Sequence, residues 1–243
     1  YCSLGVSVDI TVAGMDNAKM VIAQVNPRMP RTWGDSFVHV DEIDYLVLHE
    51  EPILERPPSP TEQNEVAERI GHYVSKLIDD GVTLQIGFGP IPNNILQYLE
   101  NKKDLGVHTQ VVTDAFIPLL KKKVITNKKK NHLPGRVVTS LCMGSEDLYR
   151  YVDKNPIFYF RSSEYVNDPN VIAQNDNLVS ISSTTSRDNW LMPRPTEPIS
   201  LSDSISGSGE KSPSAIFCSL LLIFATGRLI VRFMVNIARN VNK

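Results

Sequence analysis

Apolar and polar positions follow two different periods along residues 1–183, and the alternation between them predicts the elements. Short apolar runs edged by Gly, Asp or Ser read as strands: 82–86, 107–113, 136–141, 157–160 and Leu178–Ile181. Met20–Val25 and Tyr45–Leu48 read the same way in a less regular setting. Between these runs the period lengthens. Val66, Ile70, Val74, Leu77 and Ile78 recur at the spacing of one helix face, and Gly81 supplies the stop. Ser59-Pro60-Thr61-Glu62 has the form of a capping box ahead of that helix. Ile95, Leu96 and Leu99 mark a second helix, Asp114 is placed to cap a third through Leu120, and Ser145 a fourth over Glu146–Val152. The strand–helix–strand order from 82 to 113 predicts a βαβ unit with parallel strands and a right-handed crossover. The fold class expected is α/β, a parallel sheet flanked by helices. Pro57-Pro58-Ser59-Pro60 reads as a stiff linker joining two subdomains.

The most informative local feature is the run Gly87-Phe88-Gly89-Pro90-Ile91-Pro92-Asn93-Asn94, which joins a buried strand ending at Ile86 to a helix expected to begin near Pro92. Glycine has no Cβ, so the backbone there can approach a bulky anion closely, and amides at the helix start would face it. In open α/β sheets ligands sit at the carboxyl ends of the strands, where Gly87 and Gly89 fall. A turn kept for packing alone is the plain alternative.

The character changes at Thr184. Residues 184–214 are dense in Ser, Pro, Thr and Gly, with Pro193, Pro195, Pro198 and Pro213, and read as loop or disorder. The apolar run 215–226 is shorter than the roughly 20 residues a membrane span needs. Extending it to Val235 brings in Gly227, Arg228 and Arg232, and a charge near the middle of a span costs about 2.5–3.5 kcal/mol. A membrane anchor is therefore disfavoured; a buried or interfacial helix, or sequence with no evolved structure, remain as readings. The first residue is Tyr1 and not methionine, no basic segment followed by an apolar one reads as a targeting peptide, and the chain is expected to start inside a longer reading frame.

Composition narrows the function classes. A net charge of −2 over 243 residues disfavours nucleic acid or an anionic membrane as the main partner. The three cysteines, Cys2, Cys142 and Cys218, are odd in number and widely spaced, which fits a reducing compartment better than secretion. His39, His49, His72, His108 and His132 show no ligand spacing, so no metal site is expected. Lys121–Lys123 and Lys128–Lys130 read first as a solvated helix end and loop, and second as contacts to phosphate. Asp41, Glu42, Asp44, Glu50 and Glu51 read as an exposed acidic edge, with no pair singled out for acid–base work. Cys142 and Met143 read as core. Asn167, Asp168, Asn175, Asp176 and Asn177 are turn formers.

Several segments in order carry a resemblance: Tyr1-Cys2-Ser3-Leu4-Gly5, Val25-Asn26-Pro27-Arg28-Met29-Pro30-Arg31-Thr32 and Gly34-Asp35-Ser36-Phe37. They continue with Gly87-Phe88-Gly89-Pro90-Ile91-Pro92, Val124-Ile125-Thr126-Asn127-Lys128-Lys129-Lys130, Tyr165-Val166-Asn167-Asp168-Pro169 and Ile172-Ala173-Gln174-Asn175-Asp176-Asn177. Together they resemble the acetyl-CoA hydrolase/transferase family, which includes 4-hydroxybutyrate CoA-transferase, over residues 1–183. The resemblance implies a CoA-transferase fold of the NagB/RpiA type, truncated at both ends. Residues 1–58 would be the end of the amino-terminal region, 59–183 the α/β CoA-binding region, and 184–243 a non-homologous tail, disordered or misread.

The activity implied is transfer of coenzyme A between an acyl-CoA and a small carboxylic acid, with CoA as substrate and no permanently bound cofactor. A glutamate attacks the thioester to give a mixed anhydride, and the CoA thiolate returns to form a glutamyl-CoA thioester. By the same resemblance Gly87, Gly89, Ile91, Pro92 and Asn93 would hold CoA or a developing oxyanion, and Ser163, Glu164, Tyr165, Val166 and Asn167 would lie near the CoA. The family's glutamate, counted along the chain, falls at Ser186, so no catalytic residue is assigned and this chain is expected to be inactive. Trp33, Ala115 and the order His132-Leu133-Pro134-Gly135 also depart from the family pattern. A eukaryotic member would be mitochondrial and any other cytoplasmic; a homo-oligomer is left open. The rival readings are a non-catalytic CoA-binding or interaction protein, and a sugar-phosphate isomerase whose glycine turn cradles a phosphate.

Overall fold

The computed structural model describes residues 1–56, 65–87, 89–181, 221–225 and 228–237. All of them belong to one compact unit formed by Tyr1–Ser183 and Ser219–Lys243. In chain order the elements are β1 (Cys2–Ser3), α1 (Thr11–Asn17), β2 (Met20–Val25), β3 (Phe37–Val38), a 3-10 turn at Val40–Glu42, β4 (Tyr45–Leu48), α2 (Glu65–Ser75) and β5 (Thr83–Ile86). They continue with α3 (Pro90–Gln97), β6 (Gly106–Val107), β7 (Val111–Val112), α4 (Phe116–Lys121), β8 (Val137–Thr139), β9 (Leu141–Cys142), α5 (Glu146–Val152) and β10 (Phe158–Phe160). Then come α6 (Ser163–Val166), α7 (Pro169–Ile172), β11 (Leu178–Ile181), β12 (Leu221–Ala225) and β13 (Arg228–Ile237).

Two assemblies of strands organise these elements. In the first, the order is β3-β1-β13-β2-β4, with β12 paired to β13. In the second, β11-β5-β6 is parallel throughout, and a bridge from His108 to Val138 leads on to the parallel pair β8-β10. The expected βαβ unit is there: β5 and β6 run parallel with α3 between them in sequence. Strands β5, β6, β8 and β10 are largely buried because both faces are covered, so they read as apolar runs rather than alternations. Leu84, Val107, Val137 and Phe160 from this assembly join Ile95, Leu96 and Leu99 of the α3 region in one core. Helices α2 and α3 approach closely at Gly71, where a Cβ would meet the Asn94 backbone at 3.2 Å.

Several expectations shift. The run 107–113 is two strands, not one, because His108–Gln110 turn aside between β6 and β7. The run 136–141 breaks in the same way at Ser140, where the Gln110 carbonyl takes the amides of both Ser140 and Leu141. Leu77 lies past the end of α2 and is 79% exposed, so the helical spacing was carried too far. Neither Asp114 nor Ser145 caps its helix, because each spends its side chain on the other: the Ser145 hydroxyl and amide both donate to the Asp114 carboxylate. The carboxylate of Glu55 takes the first amide of α5 instead, at 2.8 Å. The apolar stretch near the carboxyl end is not a helix where it is described: β12 and β13 form an antiparallel pair, and β13 lies between β1 and β2. The capping box at 59–62, the linker from Pro57 and position 186 lie outside the described residues.

Candidate functional site

The glycine turn leaves the carboxyl end of β5 as the sequence predicts, but its amides are already partly engaged. The Gly87 amide donates to the Ile181 carbonyl at 2.7 Å, which extends the β11-β5 pairing by one residue. Gly89 has φ +140°, a conformation that favours glycine, and its carbonyl accepts the Asn93 amide at 3.2 Å to close the first turn of α3. The helix begins at Pro90, not at Pro92. Pro90 and Pro92 bring no N–H, so both prolines in the first turn remove donors that an anion would otherwise meet. Among the candidate residues this leaves Gly89 and Ile91 with amides toward a ligand. The Asn93 carboxamide is fixed from the neighbouring strand, since Thr113 Oγ1 donates to its Oδ1 at 3.1 Å.

The strand end beside the turn was missed at the level of sequence. Thr109 Oγ1 donates to the Ile86 carbonyl at 2.6 Å and accepts the Ile86 amide at 3.2 Å. Thr113 holds Asn93 on the far side of the turn. Gln110 therefore sits between two residues that grip the glycine turn. Its carbonyl accepts Ser140 N at 3.2 Å, Leu141 N at 3.1 Å, Thr139 Oγ1 at 3.1 Å and Ser140 Oγ at 3.0 Å, while its side chain is exposed. These donors share one carbonyl oxygen, which fixes the Gln110 backbone against the turn at Ser140 and Leu141. The detectable sequence signal was the break that His108–Gln110 puts into an otherwise apolar run.

The second predicted group comes to the same end of the sheet. Ser162 caps α6, its hydroxyl accepting the Tyr165 amide at 3.4 Å, and the Ser163 amide donates to the Asp9 carbonyl at 2.8 Å. The buried Val166 presents its carbonyl to His108 Nε2 at 2.9 Å. His108 follows β6 directly, so this bond seats α6 over the carboxyl end of that strand. Glu164 and Asn167 are exposed, and the Asn167 amide donates to the Ser163 carbonyl at 3.0 Å. The Tyr165 ring lies under the Arg161 guanidinium at 3.8 Å, and its hydroxyl meets His132 Nε2.

Burial sets the protonation of the groups beneath. His108 is fully buried, and desolvation, with the Lys130 and His132 charges adding to it, pushes it down to about 4. It is therefore neutral, and the proton sits on Nε2 to meet the Val166 carbonyl. Lys130 is also buried; its ammonium donates to the Val107 and Arg136 carbonyls, each at 2.8 Å, and burial pushes it down to about 7. It braces β6 and is not a phosphate contact. Lys129 lies against Gly81 at the opposite, amino end of β5, and Lys122 pairs with Glu100. Lys121–Lys123, Lys128 and Lys129 are thus the solvated helix end and loop expected, whereas Lys130 departs from that expectation because its ammonium is drawn inward by two backbone carbonyls.

A separate cleft of about 590 Å³ lies between the segment Pro27–Pro30 and α5, with Ile53 and Tyr149 in its wall. Of its two arginines, Arg28 pairs with Glu50 and Arg150 with Glu146. No cluster that could hold a metal ion occurs among the described residues.

Residues 1–55 match the acetyl-CoA hydrolase/transferase N-terminal domain, and residues 144–210 match the acetyl-CoA hydrolase/transferase C-terminal domain. The chain is 48% identical over 183 residues to 4-hydroxybutyrate coenzyme A transferase of Clostridium kluyveri, covering 75% of this chain and 42% of that protein. It is 40% identical over 184 residues to succinyl-CoA:acetate/propanoyl-CoA:succinate CoA transferase of Fasciola hepatica, covering 75% of this chain and 38% of the other. The crystal structure of 4-hydroxybutyrate CoA-transferase from Porphyromonas gingivalis superposes with a TM-score of 0.70 at 41% identity, over 74% of this chain and 45% of that one. The chain spans less than half the length of the relatives it matches.

Proposed function

The chain belongs to the acetyl-CoA hydrolase/transferase family, and on that premise we propose that it supplies the acyl-CoA-binding part of a CoA-transferase, which exchanges coenzyme A between an acyl-CoA and a small carboxylate. One observation carries the reading. Two groups far apart in sequence, the glycine turn and α6, come to the carboxyl end of the same parallel sheet, α6 through His108 and the turn through Ile86. The amides of Gly89 and Ile91 are suited to an acyl-CoA oxygen, and the capped, half-buried Tyr165 offers a flat wall beside it.

The chemistry needs a carboxylate that expels the CoA thiolate and is later attacked by it. The family's glutamate counts to position 186, a serine, and Gln110, which lies in sequence between Thr109 and Thr113, carries an exposed carboxamide. A carboxamide donates and accepts hydrogen bonds but does not form an anhydride. That observation favours a second reading for this chain as it stands: it binds acyl-CoA without turning it over.

Titration calorimetry of the full chain with coenzyme A and with acetyl-CoA tests the proposal. Saturable binding of both, with no covalent adduct by mass spectrometry, is the expected result. Binding of a sugar phosphate with none of CoA would overturn it in favour of the isomerase reading.

A further inference from the structure

We propose that Arg161 is the positioning residue of this site: its guanidinium, held between the Asp35 carboxylate and the Tyr165 ring, sets where α6 stands. The proposal rests on the reading of residues 163–167 as an acyl-CoA contact. Its starting point is the length of α6, a single turn of four residues. A turn that short does not hold itself, because nucleation costs more than one or two hydrogen bonds return. Fastenings from outside decide its position. Two take its own backbone, the Ser163 amide donating to the Asp9 carbonyl at its start and the Val166 carbonyl accepting from the His108 ring at its end. The third, and the side-chain fastening on its outer face, is Tyr165.

Arg161 is built to grip that ring. It leaves the end of β10 with its amide donated to the Thr139 carbonyl at 2.8 Å, which fixes the Cα. Its Cζ lies 3.8 Å from the Tyr165 ring centroid, and Nη1 donates to Asp35 Oδ1 at 2.9 Å. Asp35 cannot drift, because its amide bonds the Phe160 carbonyl at 2.8 Å. Gly34 beside it is pressed so closely on β10 that a Cβ would meet Phe160 O at 2.1 Å. The far end of Tyr165 is taken by His132, whose proton affinity is lowered by burial and by the Lys130 and Arg161 charges. Arg161 thereby ties a residue of the segment 1–55 to a helix of the segment 144–210.

The test uses the full chain with Arg161→Ala, Arg161→Lys and Asp35→Asn, read by hydrogen exchange, NMR titration of His132 and CoA calorimetry. Arg161→Ala is expected to speed exchange at the amides of Tyr165, Val166 and Asn167 about tenfold, leaving β5 and β8 at wild-type rates, and to raise the His132 pKa. CoA affinity should fall about tenfold. Arg161→Lys and Asp35→Asn should fall between wild type and Arg161→Ala, since each keeps one of the two contacts. Exchange that rises equally in β5, β8 and α6, or does not rise at all, overturns the proposal, as does a loosened α6 with unchanged CoA affinity. A wild-type chain that binds no CoA would sink the functional reading alone, while the exchange pattern would still decide whether Arg161 positions α6.

Discussion

At the scale of single residues, Gly89 and Gln110 make opposite demands. Gly89 sits at φ +140°, so Gly89→Val forces a conformation that branched side chains rarely adopt and places bulk beside the Gly89 and Ile91 amides. Losing one or two hydrogen bonds to a charged group, about 1.5–3 kcal/mol each, should weaken CoA binding roughly tenfold or more. Calorimetry and thermal unfolding on one sample separate this from packing: a lowered melting temperature with unchanged CoA affinity would make the turn structural. Gln110 invites the reverse experiment. Gln110→Glu puts a carboxylate on a residue whose carbonyl is fixed by the Ser140 and Leu141 amides, and Ser186→Glu puts one where the family's glutamate counts to. Incubation with acetyl-CoA should give Gln110→Glu a mass gain of CoA less water, with acetate released, and leave Ser186→Glu unmodified. The reverse pattern would place the nucleophile where the sequence count put it.

His108 makes a pH prediction with a definite sign. Its folded value of about 4 lies below the ordinary 6.5, so between those values the unfolded chain binds more protons. Stability therefore rises with pH across that window and is lost as pH falls through it. The full difference corresponds to about 3.5 kcal/mol at one pKa unit per 1.4 kcal/mol. Lys130, at about 7 against 10.5, adds a second rise in stability at alkaline pH for the same reason. Urea midpoints for wild type and His108→Gln should converge in slope above pH 7 and diverge between pH 4 and 6.5. Parallel curves there would mean that His108 is solvated.

At the scale of elements, β5 and α3 are legible because their information is local: an apolar run and a proline near the helix start. What was not legible is tertiary competition for the same groups. Asp114 and Ser145 each have the side chain of a cap, but each is the other's better partner across the fold. The break of 107–113 depends on Ser140 and Leu141 delivering their amides to Gln110, some thirty positions away, which no window along the chain contains. The candidate residues 163–167 came from resemblance, and only the His108 contact explains why they belong at this site. Gly34 offers a test at this scale. With φ +108° and Phe160 O where a Cβ would stand, Gly34→Ala should cost on the order of 3 kcal/mol, seen as a lower urea midpoint with an unchanged slope. A loss under about 1 kcal/mol would mean that residues 33–35 are not pinned to β10.

At the scale of the molecule, the position of β13 decides how the amino-terminal segment holds together. Strands β1 and β3 pair with each other, and β2 pairs with β4, and among the described strands β13 is the one hydrogen-bonded to both pairs. Cys2 and Ser3 register on Ile237 and Asn236, while Met20–Val25 register on residues 230–235. A two-stranded ribbon is marginal by itself in water, so removing the strand between two such ribbons exposes a row of amides and carbonyls on each. Composition reads residues 184–214 as loop or disorder, and the resemblance implies a non-homologous tail over 184–243; a chain shortened to 1–218 distinguishes such a tail from an integral strand. With β13 an integral strand, the shortened chain should exchange the β2 amides much faster and unfold at a lower urea concentration. The β5, β6 and β11 amides should keep their protection, because that sheet is closed by its own parallel ladder. Identical unfolding and identical β2 exchange in the two chains would mean that residues 219–243 contribute nothing to the sheet, and that the amino-terminal segment is held by its contacts to β9 and β10 alone.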